Sequence, residues 1–241
     1  MNSKNSSPPL IISTTASLEA KLVSWEWPWV KENKSAIEEN WNKRKQHNQS
    51  IFNGRVLLAR NAVFTPQASS LQLFEVNYSE MVAALDLNVP DYDIWNAFAM
   101  GALRGSDGAY ICGIMGEDTF NAGRVYFPAG TPDREDCRTD GTVDLAGSLL
   151  RELEEETGLS EGFQVETQWL AVQSWPALAL ISTVNFDEPA HKIAARIEKN
   201  LQTQDKPELA GTRIIQNQKD IDPTVMPQYL QHFFSFSFGL V

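Results

Sequence analysis

The reading of this chain turns on one stretch, Arg151-Glu152-Leu153-Glu154-Glu155-Glu156-Thr157-Gly158-Leu159. It ends a run from Asp144 with the marks of a helix. Asp144 is suited to cap the N-terminus, Ala146, Leu149, Leu150 and Leu153 supply an apolar face, and Gly158 stands where a left-handed residue closes a helix. At about 100° per residue, Glu152, Glu155 and Glu156 fall at about 0°, 300° and 40°, so three carboxylates share one strip while Glu154 points to solvent. Like charges so placed repel one another. Arg151 reaches Glu155 one turn on, but one guanidinium does not neutralise three acids. Oxygen-rich sets of this kind suit Mg²⁺ or Mn²⁺, which bind a few carboxylates and complete their shell with water and substrate phosphates.

The rest of the composition fits a folded, acidic protein. The 241 residues are 42% apolar and carry 12 Phe, 7 Trp and 5 Tyr, enough bulky side chains for a core, so a disordered chain is excluded. Twenty basic against 31 acidic residues leave a net charge of −11, a field that repels polynucleotides and anionic lipid. No apolar run approaches the ~20 residues of a membrane span, and Leu10-Ile11-Ile12 is too short for a secretory core. The two cysteines, Cys112 and Cys137, make no zinc or disulfide pattern, so a soluble protein of the reducing cytoplasm is expected.

Working outward along the chain, the pattern is mixed α and β. Residues 1–14 are polar and read as a loose tail. Trp25, Trp27 and Trp29 around Pro28 read as rings capping a hydrophobic face, with a ligand-stacking platform as the sharper alternative. A helix follows over KSAIEENWNKRKQHNQ (34–49), then an Asn53-Gly54 turn and a strand, a second strand in SLQLFEVNY (70–78), and a short Ser-capped helix ended by Pro90. NAFAMGALRG and AYICGIMG, separated by Ser106-Asp107-Gly108, read as a hairpin, and a second structural unit starts near Trp95. After the 144–157 helix come strands in FQVETQWLAVQSW and LALISTVNF, an amphipathic helix in EPAHKIAARIEKNL, a strand in GTRIIQN and a final helix in PQYLQHFFSF. No repeat occurs at solenoid periods.

An isolated acidic run is usually a solvated helix face. The full pattern Arg-Glu-apolar-x-Glu-Glu-x-Gly-apolar, however, has a chance of about one in 10⁵ of arising in a chain of this size when each fixed residue has ~5% abundance. It resembles the C-terminal half of the Nudix box, whose pattern is Gly, five residues, Glu, seven residues, then Arg-Glu-apolar-x-Glu-Glu-x-Gly-apolar. The resemblance implies an α+β fold, an α/β/α sandwich with a mixed β-sheet. It also implies hydrolysis of a nucleoside diphosphate linked to another moiety, with Mg²⁺ or Mn²⁺ as cofactor. Carried onto this chain, Glu152, Glu155 and Glu156 are the metal-binding acids and Arg151 is their structural partner. The front half departs from the pattern: Val143 falls at the Glu position and Cys137 at the Gly position. YFPAGTPD resembles the strand-to-loop entry of the box, with Gly130 as the glycine's counterpart. Gly130 to Arg151 is 21 positions where the pattern has 14, so the loop has gained seven residues. Asp144 either replaces the missing acid beside Arg151 or only caps the helix.

On this resemblance the chain divides into a tail (1–14), an N-terminal α/β extension packed on the core (15–96) and a Nudix-like hydrolase domain (97–241). The extension, with Trp41 and IFNGRVLL (51–58), is similar in layout to the pre-domain of a UDP-sugar diphosphatase branch, which makes a nucleotide sugar one substrate hypothesis. It is open to covering the site, forming a homodimer interface or completing the sheet. A further carboxylate is expected from a loop outside the box, Glu208 first, with Asp187 and Glu188 behind it. Arg134 and Arg138 in the enlarged loop, together with Gly130, are the candidate substrate-binding residues, and Arg104 is a further candidate cation. His47, His191 and His232 are scattered. Ser148 lacks a Gly-x-Ser-x-Gly setting, and no Gly-rich phosphate loop or dinucleotide fingerprint occurs. The expected partner is a small nucleoside diphosphate derivative, with no nucleic acid polymer and no membrane. The competing reading is a non-catalytic nucleotide-binding module on the same scaffold.

Overall fold

Alternation of buried and exposed positions, and its loss in the strands covered on both faces, explains the layering. The computed structural model describes residues 8–47, 51–117, 119 and 121–240. In chain order the elements are β1 (Ile11–Thr15), β2 (Leu18–Leu22), α1 (Pro28–Glu32), α2 (Lys34–His47), β3 (Arg55–Val63), β4 (Ser69–Asn77), α3 (Tyr78–Asp86), β5 (Asn96–Arg104) and β6 (Tyr110–Met115). They continue with β7 (Val125–Tyr126), β8 (Ala129–Gly130), α4 (Leu145–Thr157), β9 (Phe163–Val165), β10 (Trp169–Ser174), β11 (Ala177–Phe186), α5 (Ala190–Leu201), β12 (Leu209–Ile215) and α6 (Gln228–Ser237).

The large sheet runs β1-β10-β11-β5-β6-β12, with β7, β8 and β9 paired at its sides. It is mixed, because β11 pairs parallel with β5 while its other pairings are antiparallel. Seven successive residues of β5 are buried, as in a strand covered on both faces. Parity assigns the covers. Gly101 faces Leu149 of α4, whereas Phe98, three residues away and so on the opposite face, meets the Tyr229 ring of α6 at 5.1 Å. With α5 packed against α4, β6 and β12, the layers are helix, sheet, helix, and the fold is α+β.

The small sheet runs β2-β4-β3. Its strands alternate: Leu57, Ala59, Leu71 and Leu73 join the buried cluster of the large sheet, while Leu58, Phe74 and Val76 join a second cluster with Trp27, Met81 and Val82 from the α1–α3 region. The extension and the large sheet thus share one core. Trp25 packs edge-on against Phe74 at 4.6 Å and Trp27 is buried, so these rings cap a hydrophobic face rather than offer a platform.

Three local expectations are corrected. Residues 11–15 form an edge strand on β10 rather than a loose tail, because the Ile11–Thr15 backbone satisfies its hydrogen bonds there; residues 1–7 lie outside the described set, as do the last residues expected in the first helix. Helix α3 is capped by Asn77, which forms a reciprocal box with Glu80, rather than by a serine. In α4 the buried face is Leu145, Ser148, Leu149 and Leu153, whereas Leu150 and Ala146 are exposed, since the face is set by what α4 packs against and not by apolar content.

Candidate active site

Helix α4 brings the acids to the sheet. Its N-terminus is capped by Asp144, whose Oδ1 accepts from the Gly147 amide at 3.0 Å, and it ends at Gly158 in the left-handed region (φ 73°). Glu156 lies on the buried side and is 3% exposed. Its Oε1 accepts from the Ala129 amide at 3.1 Å, and its Oε2 is buried with no partner. A buried, unpaired carboxylate oxygen is costly unless a ligand meets it.

Glu152 lies against β8. A Cβ at Gly130 would overlap the Glu152 carboxylate, so only glycine lets strand and acid approach this closely. Arg151 donates to Glu152 Oε1 at 2.8 Å and stands 3.6 Å from Glu155, the i+4 contact its spacing predicts. Glu155 is the most open of the three, with its side chain 61% exposed.

Glu208 precedes β12, and its carbonyl accepts from the Gly116 amide at 2.8 Å. It is electrostatically within reach of Glu152 and Glu156. Burial pushes the Glu156 carboxyl well above the ordinary glutamate range, and Glu208, Glu152 and Glu155 add to this against the Ala129 amide. Burial also raises Glu152, where Arg151 opposes it, and raises Glu208, where Glu155 adds. Glu152, Glu156 and Glu208, with Glu155 beside them, form one electronegative cluster, the setting in which a cation is most strongly favoured.

The donor set is all oxygen and suits a hard divalent ion, and the orphaned Oε2 of Glu156 supplies a ligand atom with no other partner. As the side chains stand, no three acidic, His or Cys groups among the described residues are gathered tightly enough to hold a metal. Arg151 is bound to one of the Glu152 oxygens, so closing on an ion requires side-chain rotation, which the exposure of Glu155 allows.

A cavity of about 690 Å³ opens beside Glu208 and Ala129. Helix α3 supplies Tyr78 and Met81 to its wall, and the large-sheet unit supplies Asn96, Phe98, Tyr126 and Gln228. Arg124 is the one cation among its described lining residues. The Tyr126 hydroxyl accepts from Asn121 at 3.1 Å, and burial, with Glu156 and Glu208 nearby, holds its proton on well past the usual phenol range.

Not every predicted residue comes to this place. Arg134 pairs with Glu75 of β4 at 3.2 Å and Arg138 with Asp144 at 2.7 Å; neither lines the cavity. Glu188 pairs with Arg196 at 2.6 Å, and it and Asp187 lie before α5, outside the cavity wall. Arg104 lies over the Tyr110 ring at 5.6 Å.

Sequence reasoning missed Asp136. Arg151 donates to its two carboxylate oxygens at 3.2 and 3.4 Å, its side chain is 5% exposed, and its Oδ2 accepts from the Asp133 amide at 3.1 Å. Asp144 is therefore the cap and Asp136 the acid beside Arg151. The signal was present, because Gly130 and Asp136 have five residues between them, the Gly-to-acid spacing of the box. The seven extra residues lie after the acid, not before it. Arg124 was missed as well, and nothing in its local sequence marks it.

No protein-family model and no curated protein matches this sequence. Solved structures do. The MutT protein from Methanosarcina mazei Go1 is similar at 16% identity, covering 59% of this chain and 92% of that one with a TM-score of 0.36. RenU, a Nudix hydrolase from M. smegmatis, is similar at 14% identity over 60% of this chain and 80% of its own, with a TM-score of 0.36. The Bacillus subtilis pyrophosphohydrolase BsRppH is similar at 14% identity over 59% and 72%, with a TM-score of 0.31. Superpositions this loose carry no argument about activity, which rests on the residues.

Proposed function

We propose that this chain is a Nudix-type pyrophosphohydrolase that cleaves the diphosphate linkage of a nucleoside diphosphate derivative with Mg²⁺ or Mn²⁺. The observation that carries the reading is the cluster of Glu152, Glu155, Glu156 and Glu208, of which Glu208 lines the 690 Å³ cavity and Glu156 is held by the Ala129 amide of its wall, with one Glu156 oxygen buried and unpaired. Glu152, Glu155 and Glu156 are the residues to hold the ion, and Glu208 is a further carboxylate at the cavity edge. Such an ion, when bound, polarises a phosphoryl oxygen and lowers the pKa of an attacking water. The Ala129 amide fixes the Glu156 carboxylate, and Gly130, the next residue of β8, admits Glu152 beside it.

The cavity supports a substrate with an uncharged, hydrogen-bonding group beyond the diphosphate. Its wall offers amides and phenols, and its one described cation suits few phosphates. A nucleotide sugar has that chemistry, and it is the finer form of the proposal. The soluble, cytoplasmic setting expected from the sequence is compatible with no helix among the described residues being long and apolar enough to cross a membrane.

The test is phosphate-coupled turnover on UDP-sugars, ADP-ribose, dinucleoside polyphosphates, coenzyme A and NADH, with Mg²⁺ or Mn²⁺ and an EDTA control. Glu156→Gln keeps an acceptor for the Ala129 amide while removing the charge. It is expected to retain the wild-type melting temperature and to lose about 100-fold or more in kcat, the order seen when a preorganised charge-stabilising group is removed. Metal-independent turnover, or unchanged kcat in both Glu155→Gln and Glu156→Gln, overturns the reading. Tight nucleotide binding without hydrolysis favours a binding module instead.

A further inference from the structure

The seven extra residues form a closed hairpin. Its ends meet, the Asp144 amide donating to the Asp136 carbonyl at 2.7 Å, and Cys137 bridges Val143. Inside, the Arg138 amide donates to the Thr142 carbonyl at 2.8 Å and the Gly141 amide to the Arg138 carbonyl at 3.0 Å, with Gly141 at φ 79° closing the turn.

This hairpin lies along β2, the edge strand of the small sheet. The Leu22 amide donates to the Gly141 carbonyl at 2.8 Å, the Val143 amide donates to the Ala20 carbonyl at 2.9 Å, and Lys21 Nζ donates to Thr142 Oγ1 at 2.7 Å. Lys21 and Thr142 form an antiparallel bridge, and Val143 is buried. The hairpin therefore covers an edge that would otherwise present unpaired backbone groups. The preceding loop is held by the same sheet, through the Leu57 amide to the Pro132 carbonyl at 2.9 Å and through Arg134 to Glu75. At the base of the hairpin stands Asp136, which holds Arg151, which in turn holds Glu152.

We infer that the hairpin of residues 137–143 is a brace through which the N-terminal sheet positions the Asp136–Arg151 pair and so the carboxylate helix. Its role is positioning: it touches no part of the cavity. The kinetic test rests on the pyrophosphohydrolase reading; the exchange test below does not.

The geometry makes the brace removable. Because Asp136 and Asp144 are already in contact, deleting 137–143 joins neighbours and leaves seven residues between the new junction's acid and Arg151. In the full-length protein, this deletion is expected to lower kcat by about 10- to 100-fold, the scale of a displacement of about 1 Å at a reacting centre, with KM changed less than about twofold. Leu22→Pro removes one of the two backbone clasps at the outer edge of β2 and is expected to lower kcat in the same sense. Lys21→Cys with Thr142→Cys, in a Cys137→Ser background, joins a pair with no hydrogen bonds between its own backbone groups, where Cα atoms stand ~4.5 Å apart and a disulfide fits. Added to Leu22→Pro, this disulfide is expected to restore kcat when oxidised and release it when reduced.

A folded deletion variant with wild-type kcat shows that the hairpin is a tolerated insertion and overturns the inference. If the deletion does not fold, the Leu22→Pro variant decides, and failure of the disulfide to rescue it overturns the inference equally. If wild type turns over no substrate, the pyrophosphohydrolase reading falls on its own. The brace is then read by hydrogen exchange at the Asp133 and Ala129 amides, which donate to Asp136 and Glu156. Faster exchange by about tenfold in Leu22→Pro supports it, and unchanged exchange overturns it.

Discussion

Gly130 and Asp136 carry the most information per residue. At Gly130 the constraint is steric: any Cβ overlaps the Glu152 carboxylate. Gly130→Ala is therefore expected to push the Glu152 carboxylate out of place and lower kcat while leaving stability little changed, because the crowded atoms are the far end of a side chain that can rotate away. Kinetics and a urea titration on the same preparation separate the two, and an alanine variant with wild-type kcat contradicts the close approach. Asp136 was within reach of sequence reading, but counting back from Arg151 across an insertion of unknown position lands on Val143, and only the Arg151 contact identifies the right acid. The orphaned Glu156 oxygen was beyond reach of the sequence, because a helical wheel puts an acid on a strip without saying that the strip faces a sheet.

Among the elements, β4 joins the extension to the site loop. Glu75, in β4, faces Arg134 from the loop and Arg55 from β3. The hydrogen bond from Arg134 holds its carboxyl below the ordinary glutamate value of 4.5, with Arg55 adding and burial opposing. A lowered folded-state value means that the ionised form stabilises the fold. That contribution is complete above the unfolded value and is lost as pH falls through the lower folded one. Glu75→Gln is expected to flatten the acid-side loss of stability below about pH 4.5, read as urea midpoints at pH 7 and about pH 3.5. An unchanged slope would show that the pair contributes nothing, as many exposed ion pairs do. The strands and helices were largely legible from alternation and helical period, as in β4 and α5. The faces of α4 were not, since Leu150 and Leu149 are the same residue type and only packing distinguishes them.

For the whole molecule, the extension and the large sheet are one structure in energetic terms. Leu57, Leu71 and Leu73 of the small sheet are buried in the cluster of the large one, and β1 pairs with β10 along five residues. Three leucines at about 1.5–3 kcal/mol each approach the about 5–15 kcal/mol by which a whole domain is stable. A chain of residues 97–241 alone is accordingly expected to lack a cooperative thermal transition by circular dichroism. A sharp melt in that fragment would show the two units to be independent. Helix α3 also walls the cavity, so the extension shapes what enters it.

By itself the sequence determined the mixture of helices and strands, the helix with Glu152, Glu155 and Glu156 on one strip and its glycine end, because each follows from local periodicity or spacing along one element, while the α+β class and the gain of seven residues came from the resemblance to the box. Only the tertiary structure decided which acid meets Arg151, that Glu208 joins the cluster while Arg134 and Arg138 are held by other carboxylates, and that the extra residues pair with β2. Those are contacts between segments far apart in the chain, and they depend on how two sheets pack against each other, a geometry that no local pattern encodes.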